Sequence, residues 1–168
     1  TFLNYCAGCH SLKYARYERT ATDLGIPLPL AEQHLIFDQT KIGELMENAM
    51  PVPLAKKWFG APPPDLTLIS RARSPEYIYT YLRSFYRDDS PARPWGVNNR
   101  VFPDVAMPHV LIELQGLPEC APGPVLAHNG GAKRDPLTGE DLLEDPCGRF
   151  KVTQAGSMTA EEFDTAMT

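Results

Sequence analysis

The chain has 168 residues, a formal net charge of −5 and 43% apolar side chains. That is enough for one domain with a real core, and the acidic balance counts against a nucleic-acid binder while leaving an acidic face that could steer a basic protein partner. No run approaches the roughly 18 apolar residues of a membrane span, no basic n-region with an apolar h-region opens the chain, and 17 prolines predict long ordered loops.

Residues 1–12 read as a short helix, with Phe2, Leu3, Cys6 and Cys9 near a 3–4 spacing. Within it stands Cys6-Ala7-Gly8-Cys9-His10, the spacing of a covalently attached c-type haem. Positions i and i+3 share a helical face, so both thiols can reach one porphyrin, and the next residue can turn its imidazole to the iron. A chance match in this composition is expected about 0.002 times per chain. Half of a zinc site would need two further ligands at short spacing, and a thioredoxin-like pair would need a βαβ setting; neither is visible.

Residues 20–30, with Gly25, Pro27 and Pro29, read as loop. The spacing of Ile42, Leu45, Met46 and Ala49 predicts a helix over 40–50, stopped by Pro51 and Pro53. Trp58-Phe59 then leads into Pro62-Pro63-Pro64-Asp65-Leu66, whose fixed φ values make a rigid extended wall suited to a haem edge. Arg71 and Arg73 could each pair with a haem propionate; a solvated charge pair is the other reading. Residues 74–86 form the clearest helix, with Ser74 as N-cap, Pro75 at N1 and the core stripe Ile78, Tyr81, Leu82 and Phe85.

Residues 88–108 read as a long loop with Asn98-Asn99 as a turn signal, ending in Val105-Ala106-Met107-Pro108. The candidates for a sixth iron ligand are Met46, Met50, Met107, Met158 and Met167, with His34, His109 and His128. Met107 is preferred at its proline-fixed loop end, Met50 is the serious rival, and plain loop packing is the other reading of Met107. His/Met ligation would leave no open position and point to electron transfer.

Residues 116–156 are rich in Gly, Pro and Asp with weak periodicity, and hold Cys120 and Cys147. An oxidising compartment would allow these two to pair; two unrelated thiols is the alternative. Thr159-Ala160-Glu161-Glu162 is a capping box opening a final helix. The last residues read as the interior of that helix, so a longer parent protein is expected.

The stretches CAGCHSL, GAPPPDLTLISRAR and NNRVFPDVAMP, in this order, resemble cytochrome c1, the haem subunit of the ubiquinol–cytochrome c oxidoreductase complex, in its proteobacterial form. The resemblance covers most of Phe2 to Leu117. It implies an all-α, class I cytochrome c-like haem domain over 1–168 with long Pro/Gly-rich loops and an inserted segment. It implies one haem c on Cys6 and Cys9, axial ligands His10 and Met107, packing by Pro64 and Leu66, and a propionate partner in Arg71 or Arg73, with Arg71 favoured. It places a disulfide at Cys120 and Cys147 in some bacterial members. The implied partners are cytochrome b, the Rieske iron–sulfur protein and an acceptor c-type cytochrome, at the periplasmic face of the inner membrane through a C-terminal anchor. The chain alone would carry an electron and catalyse no bond change. The rivals are a free periplasmic monohaem cytochrome and a haem sensor or enzyme with an open distal site.

Overall fold

The fold is described from a computed structural model for residues 1–37, 39–127, 129–142 and 145–167. It divides into two compact units, Thr1–Ile78 and Tyr79–Thr168.

In the first unit, α1 (Phe2–Tyr5) leads through a turn into β1 (Leu12–Arg16), followed by α2 (Tyr17–Asp23) and α3 (Leu28–Leu35). Next come β2 (Leu45–Met46), α4 (Val52–Phe59), α5 (Ile69–Ala72) and the start of α6 (Pro75–Arg83). Strands β1 and β2 pair antiparallel, Leu12 opposite Met46. The residues expected to form a loop at 20–30 instead contribute to α2 and α3. Pro27 and Pro29 fall at the N-cap and first turn of α3, where a missing N–H costs nothing. Pro51 and Pro53 likewise open α4. The helix expected over 40–50 is absent. Carbonyl oxygens of Ile42 and Glu44 accept from the N–H groups of Glu18 (2.7 Å) and Tyr17 (3.3 Å), and Gly43 penalises a helix interior.

The second unit begins within α6 and continues through β3 (Phe85–Arg87), β4 (Val97–Asn99), α7 (Ile112–Gln115), β5 (Gly116–Gly123), β6 (Asp145–Ala155) and α8 (Ala160–Met167). The helix expected to reach residue 86 ends at Arg83, because Phe85–Arg87 pairs with Asn99–Val97. Buried Phe85, Val97, Val105 and Leu117 form the core, with Tyr81, Met107 and Ile112 against it. The segment of weak periodicity holds an antiparallel ribbon, Gly116 opposite Ala155 and Cys120 opposite Phe150. Cys120 and Cys147 are joined by a disulfide across it. Gly116 leaves α7 at φ +85°, and a Cβ there would lie 2.2 Å from the Gln154 carbonyl oxygen, so only glycine fits.

The all-α, class I-like expectation is therefore overturned: the chain is mixed α/β, with three two-stranded sheets among the described residues. A helix must announce itself by a 3.6-residue apolar stripe. A ribbon is held by cross-strand backbone bonds, which Pro- and Gly-rich sequence can make without such a stripe. The capping box forms as read. Thr159 Oγ1 accepts from the Glu162 N–H at 3.2 Å, and Glu162 Oε2 accepts from the Thr159 N–H at 2.8 Å.

Candidate functional site

Cys6 to His10 is one turn running on from α1. The N–H groups of Cys9 and His10 donate to the Cys6 carbonyl at 3.0 and 2.9 Å. Both cysteines are half-buried free thiols, and burial pushes the Cys6 thiol up, so it stays protonated at neutral pH. His10 Nδ1 lies 2.7 Å from the Pro64 carbonyl oxygen. A carbonyl only accepts, so Nδ1 carries the proton and Nε2 keeps its lone pair.

The Pro64 segment is stitched alongside the motif for several residues. Leu66 N–H donates to the Ser11 carbonyl at 2.9 Å, Asp65 Oδ2 accepts from the Lys13 N–H at 2.7 Å, and Thr67 Oγ1 accepts from the Tyr14 N–H at 3.3 Å. Asp65 Oδ1 also takes the Thr67 N–H at 3.0 Å. Desolvation pushes the Asp65 carboxyl up, but the hydrogen bonds from Lys13 and Thr67 outweigh it and hold the group below its ordinary value. These bonds fix the orientation of the imidazole.

Arg71 lies exposed in α5 with no side-chain hydrogen bond or ion pair among the described residues, whereas the Arg73 guanidinium lies over the Tyr77 ring, 5.3 Å from its centroid. The two arginines thus differ in that the Arg73 guanidinium is held against a ring while the Arg71 guanidinium is not. Met50, the rival ligand, is half-buried, with its N–H on Asn48 Oδ1 at 3.0 Å. Met46 is buried and its sulfur accepts from Thr20 Oγ1 at 3.4 Å, as expected of a core residue. His34 is exposed, Met158 and Met167 are half-buried, and His128 lies outside the described residues.

Met107 belongs to the second unit, half-buried, and its sulfur accepts from the Tyr81 hydroxyl at 3.4 Å. Neighbouring His109 is buried and stacked on Phe85 at 4.9 Å, with Nε2 3.2 Å from the Gly116 carbonyl. Burial lowers its pKa to about 4, so it is a neutral packing group. Sequence reading placed Tyr81 in a core stripe and missed its polar end. A hydroxyl on an otherwise apolar stripe was the available signal.

The first unit fits a large apolar prosthetic group. Among its described residues only Ala21, Ala31, Met46 and Ala55 are buried apolar side chains, while Tyr14, Phe37, Leu54, Trp58 and Leu68 remain exposed. A unit of this length ordinarily buries several large side chains, and so sparse a core leaves apolar surface for a large apolar group to cover. An apolar cavity of about 250 Å³ near Phe2, Leu3, Leu12 and Met46 is separate, since neither thiol nor His10 lines it. Among the described residues no group of three or more His, Cys, Asp or Glu converges as a metal site. The donor set of two thiols and one Nε2 fits haem c.

The chain is 48% identical over 164 residues to cytochrome c1 of Allochromatium vinosum, an alignment covering 98% of this chain and 61% of that protein. Over nearly its whole length this chain is similar to a cytochrome c1. It is also 39% identical over 163 residues to a Nitrosomonas europaea protein named ammonia monooxygenase gamma subunit, covering 97% of this chain and 58% of that protein. The chain thus spans about three fifths of the length of these curated relatives. No protein-family model matches it. Among the described residues no helix is long and apolar enough to cross a membrane.

Proposed function

We propose that the chain is the haem-bearing part of a cytochrome c1 and relays single electrons within a quinol–cytochrome c oxidoreductase. The observation that carries this is His10, one turn beyond Cys6, with Nδ1 bonded to the Pro64 carbonyl and Nε2 unengaged. Cys6 and Cys9 would hold haem c through thioethers, His10 Nε2 would ligate the iron, and Met107 would be the second axial ligand. When bound, haem c supplies reversible one-electron chemistry. The chain's own work is to fix both ligands, keep water off the apolar edge at Pro64 and Leu66, and balance a propionate with Arg71 or, less directly, Arg73. The electron would come from the Rieske iron–sulfur protein and leave to a c-type cytochrome, with cytochrome b beside the chain. The assembly would sit at the periplasmic face of the inner membrane.

The test is the optical spectrum of the oxidised holoprotein with and without Met107→Leu. A weak band near the red end of the visible spectrum, present in wild type and lost in the variant with a fall in potential, is the expected result. Persistence of the band in the variant would move the ligand to Met50 or another residue. Absence of the band in wild type, together with free carbon monoxide binding, would replace electron relay by the open-site sensor or enzyme class. A second reading, a subunit of a monooxygenase assembly, rests on the name of the Nitrosomonas relative. The higher identity to cytochrome c1 favours the first.

A further inference from the structure

The loop that delivers Met107 is closed by two adjacent buried asparagines, 7% and 0% exposed at Asn98 and Asn99. Asn98 Nδ2 donates to Asp88 Oδ2 at 2.9 Å, which settles the orientation of the carboxamide. Its oxygen then faces inward and accepts two backbone N–H groups, from Asn99 at 2.8 Å and from Asp104 at 2.9 Å. Asn99 serves the other side. Its Oδ1 accepts from the N–H groups of Val101 (2.9 Å) and Phe102 (3.1 Å), and its Nδ2 donates to the Tyr81 carbonyl at 2.7 Å. The backbone of residues 99–104 is therefore organised by these two side chains.

Asp104 is the only non-glycine residue with positive φ among the described residues, at φ 62°. A left-handed aspartate persists only where its surroundings over-determine it. Here Asn98 holds its N–H and Arg93 pairs with its carboxylate, while Arg93 also lies 3.7 Å from Asp88. Three residues further on comes Met107. The hydroxyl that meets the Met107 sulfur belongs to Tyr81, whose carbonyl takes the Asn99 amide. Loop end and sulfur donor thus trace back to the same pair.

We propose that Asn98 is a positioning residue for Met107: by gripping the Asp104 N–H from an amide oriented by Asp88, it keeps the loop closed and the thioether presented. This rests on the reading of Met107 as an iron ligand. Asn98 touches no ligand itself; it acts through Asp104.

Asn98→Ala and Asp88→Asn are made in the holoprotein and compared with wild type by the red band, by the rate of carbon monoxide binding to the reduced form, and by hydrogen exchange of the Asp104 amide. For folded Asn98→Ala the expectation is at least tenfold faster carbon monoxide binding and at least tenfold faster amide exchange. For Asp88→Asn, which alters a half-exposed residue and leaves the asparagine in place, the expectation is about threefold for both. Rates unchanged in a folded Asn98→Ala overturn the proposal. If Asn98→Ala does not fold, unchanged rates in Asp88→Asn overturn it, and raised rates support it. A wild-type protein without the band overturns the ligation reading and this proposal with it; a wild-type band with unmoved variants overturns this proposal alone.

Discussion

His10 Nδ1 sits 2.7 Å from the carbonyl oxygen of Pro64, 54 residues further along the chain. No side chain of the proline block makes this bond; the extended backbone does, and Asp65 holds that backbone to Lys13. Asp65→Ala should destabilise the fold by about 1 kcal/mol and loosen the imidazole, because a half-buried acceptor of two backbone N–H groups is lost. Urea unfolding of the two proteins measures the difference.

The same carboxylate predicts a pH dependence. Its pKa is lowered in the fold, so its stabilising contribution is complete above the unfolded value near 3.9 and disappears as pH falls through the lower folded value. Melting temperatures of wild type and Asp65→Ala should differ at neutral pH and converge in strong acid. Parallel curves down to acid would refute a role for the ionised group.

Joining Cys120 to Cys147 closes a loop with a sequence separation of 27. The paired Cys120→Ser, Cys147→Ser variant should lose roughly 3–4 kcal/mol in the chain-entropy account. Denaturant midpoints with an unchanged slope would attribute the loss to stability and not to a rearranged denatured state.

Gly116 joins α7 to β5 at φ +85° with the Gln154 carbonyl against it. Gly116→Ala is expected to cost roughly 3 kcal/mol or more, combining the forbidden backbone region with a backbone clash. Gly130, at φ +78° with open space around it, should lose far less on the same change. The contrast in thermal midpoints isolates the clash.

The Arg73 guanidinium is held over the Tyr77 ring, whereas the exposed Arg71 guanidinium is not held by a ring. Arg71→Gln should therefore lower the reduction potential of the holoprotein, since removing a cation favours the oxidised iron, while Arg73→Gln should move it less. Spectroelectrochemical titration compares the two. Equal shifts would mean that neither arginine is distinguished.

The divide between what was readable and what was not runs through particular residues. Cys6, Cys9 and His10 declare their chemistry because one helical turn suffices to bring them together. The same locality made the Thr159–Glu162 capping box legible, its two hydrogen bonds spanning three residues. Residues 40–50 misled because an apolar spacing of 3 and 4 marks a helix only where no outside partner claims the backbone; here Glu18 and Tyr17 do. Asn98 and Asn99 read as a turn signal, yet their amides work on residues as distant as Tyr81 and Asp88.

The sequence by itself determined the haem-attachment motif and the resemblance to cytochrome c1, since short motifs and ordered blocks need no fold to be recognised. It also supplied a cysteine pair suited to an oxidising compartment. Only the tertiary structure decided that 116–123 and 145–155 form a ribbon, that Pro64 orients His10, and that Asn98 holds the Met107 loop. Each of these rests on a hydrogen bond to a backbone group, across the ribbon, at the Pro64 carbonyl or at the Asp104 N–H, and such a bond leaves no apolar pattern in the residues that make it.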